Sequence, residues 1–137
     1  MRPVNFSATK VGWARNLFEG QAESLIVPTT EGMYGIQAKH MNMIAGIIPG
    51  ELTYRTPGGA DTHAFVAAGM VIVKDGVVTV MVGAAEYPDE IDVNRAERAA
   101  EQAREEMVRH KSKRVYAEAQ RQLARATSRL KVSKINR

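Results

Sequence analysis

The chain has 137 residues, 45% of them hydrophobic and 25% charged, with a net charge of +4. That length suits one ordinary domain, or a small domain with an appendage, and the composition excludes a disordered chain. With no cysteine, disulfide staples, thiolate metal ligands and a cysteine nucleophile are all excluded. The opening M-R-P-V-N-F-S lacks the apolar stretch of a signal peptide, and the longest nearly apolar run, residues 64–73, is too short to cross a bilayer, so a soluble protein is expected.

The charge is unevenly spread. Residues 1–87 hold six Lys and Arg against seven Asp and Glu, whereas residues 88–137 hold thirteen against eight. All eleven glycines lie at or before Gly83, and the last proline is Pro88. A glycine-punctuated stretch followed by one free of both residues reads as a β domain over 1–87 followed by helices over 88–137.

In chain order, residues 24–27 form a short apolar run that ends at Pro28, and a turn-rich stretch follows through Glu31, Gly32 and Gly35. Residues 44–48 are a second apolar run, closed by Pro49 and Gly50. A hairpin is predicted around Pro57, Gly58 and Gly59. A stronger one is predicted at Asp75 and Gly76, where β-branched runs flank a dipeptide suited to the positive φ of a tight turn. Short strands with a turn signal every eight to twelve residues or so suggest a sandwich or barrel.

From Asp89 the period changes. Ala96, Ala99, Ala100, Ala103 and Met107 recur three or four apart, as do Val115, Ala119, Leu123, Ala126 and Leu130 beyond a polar break at 109–113. These are two amphipathic helices, with Asp89 and Asp92 placing negative charge in the first turn of the first. The short break makes an antiparallel hairpin the simplest arrangement. The predicted architecture is therefore α+β: an N-terminal β-sandwich followed by a C-terminal antiparallel α-helical hairpin. The apolar helix faces are built mainly on alanine, which buries little area at about 25 cal/mol per Å². Such a hairpin reads as a detachable element with more than one arrangement.

No phosphate-loop or dinucleotide fingerprint is present, and His40, His63 and His110 do not have metal-ligand spacing. No metal site and no catalysis by this chain alone is expected. His63, in a predicted strand, reads as structural, and His110, in the polar break, as solvated. Arg95 and Arg98 share a face of the first helix with Asp92, and Arg121, Arg125 and Arg129 form a stripe on the second. The spacing leaves four readings open. These are a solvated basic face paired with Glu97, Glu101 and Glu105, a polyphosphate site where arginine forks converge, a surface for an acidic protein, and a weaker nucleic-acid surface with little aromatic interleaving.

Over almost its whole length the chain resembles the epsilon-subunit family of F-type ATP synthases. The resemblance rests on S-L-I-V-P-T-T-E-G at 24–32, on Gly35, Ile36 and His40, on Pro49 and Gly50, and on F-V-A-A-G at 65–69. It continues through G-V-V-T-V at 76–80, Ala85 and Glu86, I-D-V-N-R-A at 91–96 and L-A-R-A-T-S-R-L at 123–130. It implies a non-catalytic subunit of the central stalk, bound to the gamma subunit and the c-ring, that regulates ATP hydrolysis. Its mobile hairpin would reach the catalytic alpha/beta head when extended. The place implied is peripheral, on the cytoplasmic side of a bacterial plasma membrane, with membrane contact only through the complex and no nucleic acid as partner. Glu31 and His40 would meet the c-ring, although the family usually has Pro-Gly and Ala-Pro around that histidine, where this chain has Ala38, Lys39, Met41 and Asn42.

The resemblance also implies ATP as a regulatory ligand, with no cofactor required. Ile91, Asp92, Arg95 and Ala96 match the motif at the start of the first helix, Glu86 the acidic residue before it, and Arg125 and Arg129 the two late arginines. Ile91, Asp92 and Ala96 would face the adenine, Glu86 the ribose and the arginines the phosphates. Position 102 is glutamine where ATP-binding relatives can carry arginine. The alternatives are a free-standing ATP-sensing module and a nucleic-acid-binding protein using the basic helices.

Overall fold

Alternating valines set the inner face of the first unit. A computed structural model describes residues 4–10, 16–37, 41–109 and 112–135, and the chain divides into two compact units, Met1–Glu86 and Tyr87–Arg137. The first holds ten strands: β1 (Val4–Lys10), β2 (Asn16–Ala22), β3 (Ser24–Thr29), β4 (Gly32–Ile36), β5 (Met43–Ile47), β6 (Gly50–Arg55), β7 (Asp61–Val66), β8 (Gly69–Lys74), β9 (Val77–Val82) and β10 (Ala85–Glu86). They follow one hydrogen-bonded path, β10-β7-β6-β3-β5-β8-β9-β1-β2, with β4 paired to β3.

β3 carries this path round the corner of the sandwich. Its first residues pair with β6 (Leu25 opposite Tyr54), while its last, Thr29, pairs with Ile47 of β5. Pro28 sits at the change of partner, where its carbonyl accepts the Ile48 N–H at 3.0 Å. Gly50 lies against it, because a Cβ there would stand 3.1 Å from the proline ring.

Register then fixes the core. Val71 faces Val80, Val73 faces Val78, and Leu52 faces Ala64, all buried. At the far end of the path, the Phe18 ring of β2 lies 4.5 Å from Tyr54 of β6, which closes the two layers over one interior. The β8–β9 turn is as the dipeptide predicts, with φ of 51° at Asp75 and 80° at Gly76.

Four strands, β1, β2, β4 and the short β10, are not anticipated by the sequence. β1 and β2 lie in residues read as having no element, and β1 adds to β9 in parallel, with Phe6 opposite Val78. The stretch read as turn-rich contains β4, held by β3 through the Leu25–Ile36 and Val27–Tyr34 pairs.

The second unit begins with a 3-10 turn at Pro88–Glu90, followed by α1 (Val93–Arg109) and α2 (Lys113–Ser133). The first helix therefore starts four residues later than its charge pattern suggests. Ile91 is extended (φ −76°, ψ 124°), so the turn does not run on into α1. The two helices pack along Ala96, Ala100 and Ala103 of α1 and Ala119 and Ala126 of α2, all buried. The alanine interface read from the periodicity is thus the one observed.

Candidate functional site

Local hydrogen bonds shape the base of the hairpin. Glu90 Oε1 accepts the Tyr87 N–H at 2.9 Å, and the Glu90 N–H donates to the Tyr87 carbonyl at 2.9 Å, which closes the 3-10 turn on itself. The chain then enters α1 through Asp92. Its Oδ1 accepts the Arg95 N–H at 3.0 Å and its carbonyl accepts the Ala96 N–H at 3.0 Å, the pattern of a helix N-cap. Asp92 flanks the first turn rather than lying in it. Of the motif residues, Asp92 and Arg95 are exposed, while Ile91 is only 4% exposed and Ala96 is buried.

One flank of the hairpin collects most of the remaining candidates. Asp92, Arg95, Gln102 and Glu106 follow helical spacing along α1, and Arg114, Glu118, Gln122, Arg125 and Arg129 along α2. Val93 and Glu97 stand level with Leu130 and Ser133, where together they line a cavity of about 340 Å³ on the opposite flank. Antiparallel packing therefore sets Arg129 at the level of Asp92 and Arg95, with Arg125 one turn further along. Beyond them, the same flank opens into a groove of about 610 Å³ between Gln102 and Glu106 of α1 and Arg114, Glu118 and Gln122 of α2.

The arginines are not evenly available. Glu118 Oε2 accepts from Arg121 Nη2 at 2.6 Å and from Nε at 3.2 Å, and its Oε1 lies 3.9 Å from Arg125 Nη2. The Arg121 hydrogen bond, then the Arg121 and Arg125 charges, hold the Glu118 carboxyl below the usual carboxylate range. Of the acids expected to pair, Glu101 meets Arg104 at 3.5 Å. Glu118, which the sequence reading did not single out, faces two arginines of the stripe. Its i, i+3 spacing to Arg121 is the signal that points to it.

The other candidates lie in the first unit. Glu86 ends β10, half-buried, in the pair opposite Phe65. Glu31 is exposed in the β3–β4 turn, where its N–H donates to Thr29 Oγ1 at 3.2 Å. His40 and His110 lie outside the described residues. His63 has a structural partner, with its Nδ1 2.6 Å from Glu51 Oε1 and 3.2 Å from Thr53 Oγ1. A separate surface draws notice on the outside of β5, β8 and β9. Ile44 (71% exposed) pairs with Ile72, and Met70 (40%) pairs with Met81, on the face opposite the buried valines. No helix among the described residues is long and apolar enough to cross a membrane.

A β-sandwich followed by a two-helix unit is a two-domain class that sequence models describe in the same order. The sequence model of the ATP synthase Delta/Epsilon chain beta-sandwich domain matches residues 7–88, and that of the Delta/Epsilon chain long alpha-helix domain matches residues 89–134. The chain belongs to this family. Among its relatives, the ATP synthase epsilon chain of Ruminococcus albus is 39% identical over 116 residues, covering 85% of this chain and 87% of that one. The ATP synthase epsilon chain of Caldanaerobacter subterraneus subsp. tengcongensis is 37% identical over 119 residues, covering 87% and 86%. The fold also matches a chain in the cryo-EM structure of the Euglena gracilis mitochondrial ATP synthase OSCP/F1/c-ring, with a TM-score of 0.80 at 22% identity over 92% of this chain and 78% of that one.

Proposed function

We propose that the chain is the epsilon subunit of an F-type ATP synthase central stalk, binding gamma and the c-ring through its sandwich and regulating ATP hydrolysis through its hairpin. The observation that carries this reading is the match of both domains, in order, to one family across residues 7–134. The apolar outer face of Ile44, Met70 and Ile72 supports docking on a protein partner, because a contiguous apolar patch on a soluble domain marks an interaction surface. Gamma is the partner assigned to it, and Glu31 and His40 are assigned to the c-ring. As part of that complex the chain sits peripherally at the cytoplasmic side of the membrane, without itself entering it.

The regulatory half of the proposal is that the hairpin binds ATP without hydrolysing it. Asp92, Arg95, Arg125 and Arg129 share one flank of the hairpin, and guanidinium forks suit phosphate oxygens. Ile91 and Ala96 supply an apolar floor for the adenine, and Glu86 is assigned to the ribose. The seam between α1 and α2 is built on alanine and buries little area, so a closed hairpin and one with its helices parted need differ by only a few kcal/mol to exchange. The extended form reaches the alpha/beta head and restrains hydrolysis.

Co-purification tests the core of this reading. Tagged chain is expected to bring down gamma from solubilised membranes, and Ile44→Asp with Met70→Asp is expected to abolish the capture. Recovery of the chain without gamma would overturn the assignment.

A further inference from the structure

We propose that Glu118 sets the nucleotide affinity of the hairpin by occupying Arg125 as an internal anion that a phosphate group must displace. This rests on the reading that the hairpin binds ATP.

The geometry is that of one carboxylate facing three donors on its own helix. Oε2 takes the Arg121 fork, while Oε1 lies 3.4 Å from Gln122 Nε2 and 3.9 Å from Arg125 Nη2. Arg121 is bound closely, and Arg125 is held at long range. Both partners of the Arg125 contact are substantially exposed, at 41% and 49%. A loose pair of this kind gives way at small cost, yet it must be given up or shared before Arg125 can fork onto a phosphate.

Position adds a second effect. Glu118 lines the groove on the same flank as Arg125 and Arg129, and Glu106 faces the groove from α1. A polyphosphate lying along that flank approaches two fixed negative charges. Glu118 therefore acts against the ligand twice, through repulsion and by engaging one of its receptors. It acts through Arg125, which makes it a positioning residue and not a phosphate contact.

Calorimetric titration of the full chain with ATP tests this, comparing the natural chain with Glu118→Gln and Glu106→Gln. Glu118→Gln is expected to tighten ATP binding by about two- to fivefold, the range that exposed ion pairs support. Glu106→Gln removes the same charge from the same groove, at a residue whose guanidinium partner is Arg109 at 3.9 Å, and is expected to give a smaller gain. Equal gains would reduce the effect to general repulsion and overturn the role assigned to Arg125. If the natural chain binds ATP and Glu118→Gln binds no more tightly, the inference falls while the nucleotide reading stands. If no variant takes up ATP at millimolar concentration, the nucleotide reading falls and this inference falls with it. Unchanged helix content by circular dichroism separates either result from misfolding.

Discussion

Asp92 Oδ1 accepts the backbone N–H of Arg95 at 3.0 Å, so the carboxylate assigned to the adenine is also the N-cap of α1. Two roles meet in one side chain, and substitution can divide them. Asp92→Asn keeps an oxygen that caps and removes the charge, whereas Asp92→Ala removes both. Asp92→Ala is expected to destabilise the hairpin by about 0.5–2 kcal/mol and Asp92→Asn by only a few tenths, read from thermal unfolding. Equal losses from the two variants would show that the cap contributes nothing.

Arg129 lies level with the start of α1, on the same flank as Arg95 and Arg125, and is one of the arginines assigned to the phosphates. Loss of one charge-assisted contact corresponds to about tenfold or more in affinity. Arg129→Ala is therefore expected to raise the ATP dissociation constant at least that far in calorimetry. Unchanged affinity would remove Arg129 from the site.

The Glu118 carboxyl titrates below its ordinary range because Arg121 hydrogen-bonds its ionised form. A folded-state value lower than the unfolded one means that the pair stabilises the hairpin above the ordinary carboxylate range. That contribution is lost as pH falls through the folded value. Arg121→Ala is expected to move the Glu118 titration, followed by carboxyl carbon resonance, back toward the ordinary value. No movement would mean that the 2.6 Å contact is not populated in solution.

Removal of residues 87–137 is expected to leave a cooperatively unfolding sandwich, since the two units each pack internally. The truncated chain is expected to retain gamma and to release ATP hydrolysis by the assembled enzyme. Unchanged hydrolysis would exclude a restraining hairpin, and loss of cooperative unfolding would show that the sandwich needs it.

The hairpin was the most legible part of the chain. Ala96, Ala100 and Ala103 repeat at helical spacing, and so do Ala119 and Ala126; no distant segment has to be known to see that stripe. Asp75 and Gly76 were legible for a similar reason, since a two-residue turn states its own backbone angles. Sequence places the helix start too early because acidic residues at 89 and 92 look alike in it. Only Asp92 caps, while Pro88–Glu90 closes a separate turn that Ile91 ends.

β1 and β4 show the opposite case. β1 does alternate, with Val4, Phe6 and Ala8 between Asn5, Ser7 and Thr9, but no turn signal ties it to a neighbour in the sequence, and its parallel partner β9 lies far along the chain. β4 holds Gly32 and Gly35 among five residues, a turn signal that β3 overrides by supplying ladder partners. Within the candidate site, the arginine stripe was visible from spacing, but its capture by Glu118 was not singled out. Several acids lie within reach on paper, and the i, i+3 spacing of Glu118 to Arg121 is the local signal that marks the one engaged.

Taken alone, the order of residues determined the division into a glycine-punctuated β half and an alanine-striped helical half, the tight turn at 75–76 and the set of arginines on α2. Those features depend on neighbours within a few residues, where the period of the backbone fixes what shares a face. Tertiary structure alone decided that β3 belongs to both layers and that β1 runs parallel to β9. Both depend on segments far apart in the chain whose pairing is made by packing, and packing exists only once the chain has closed on itself.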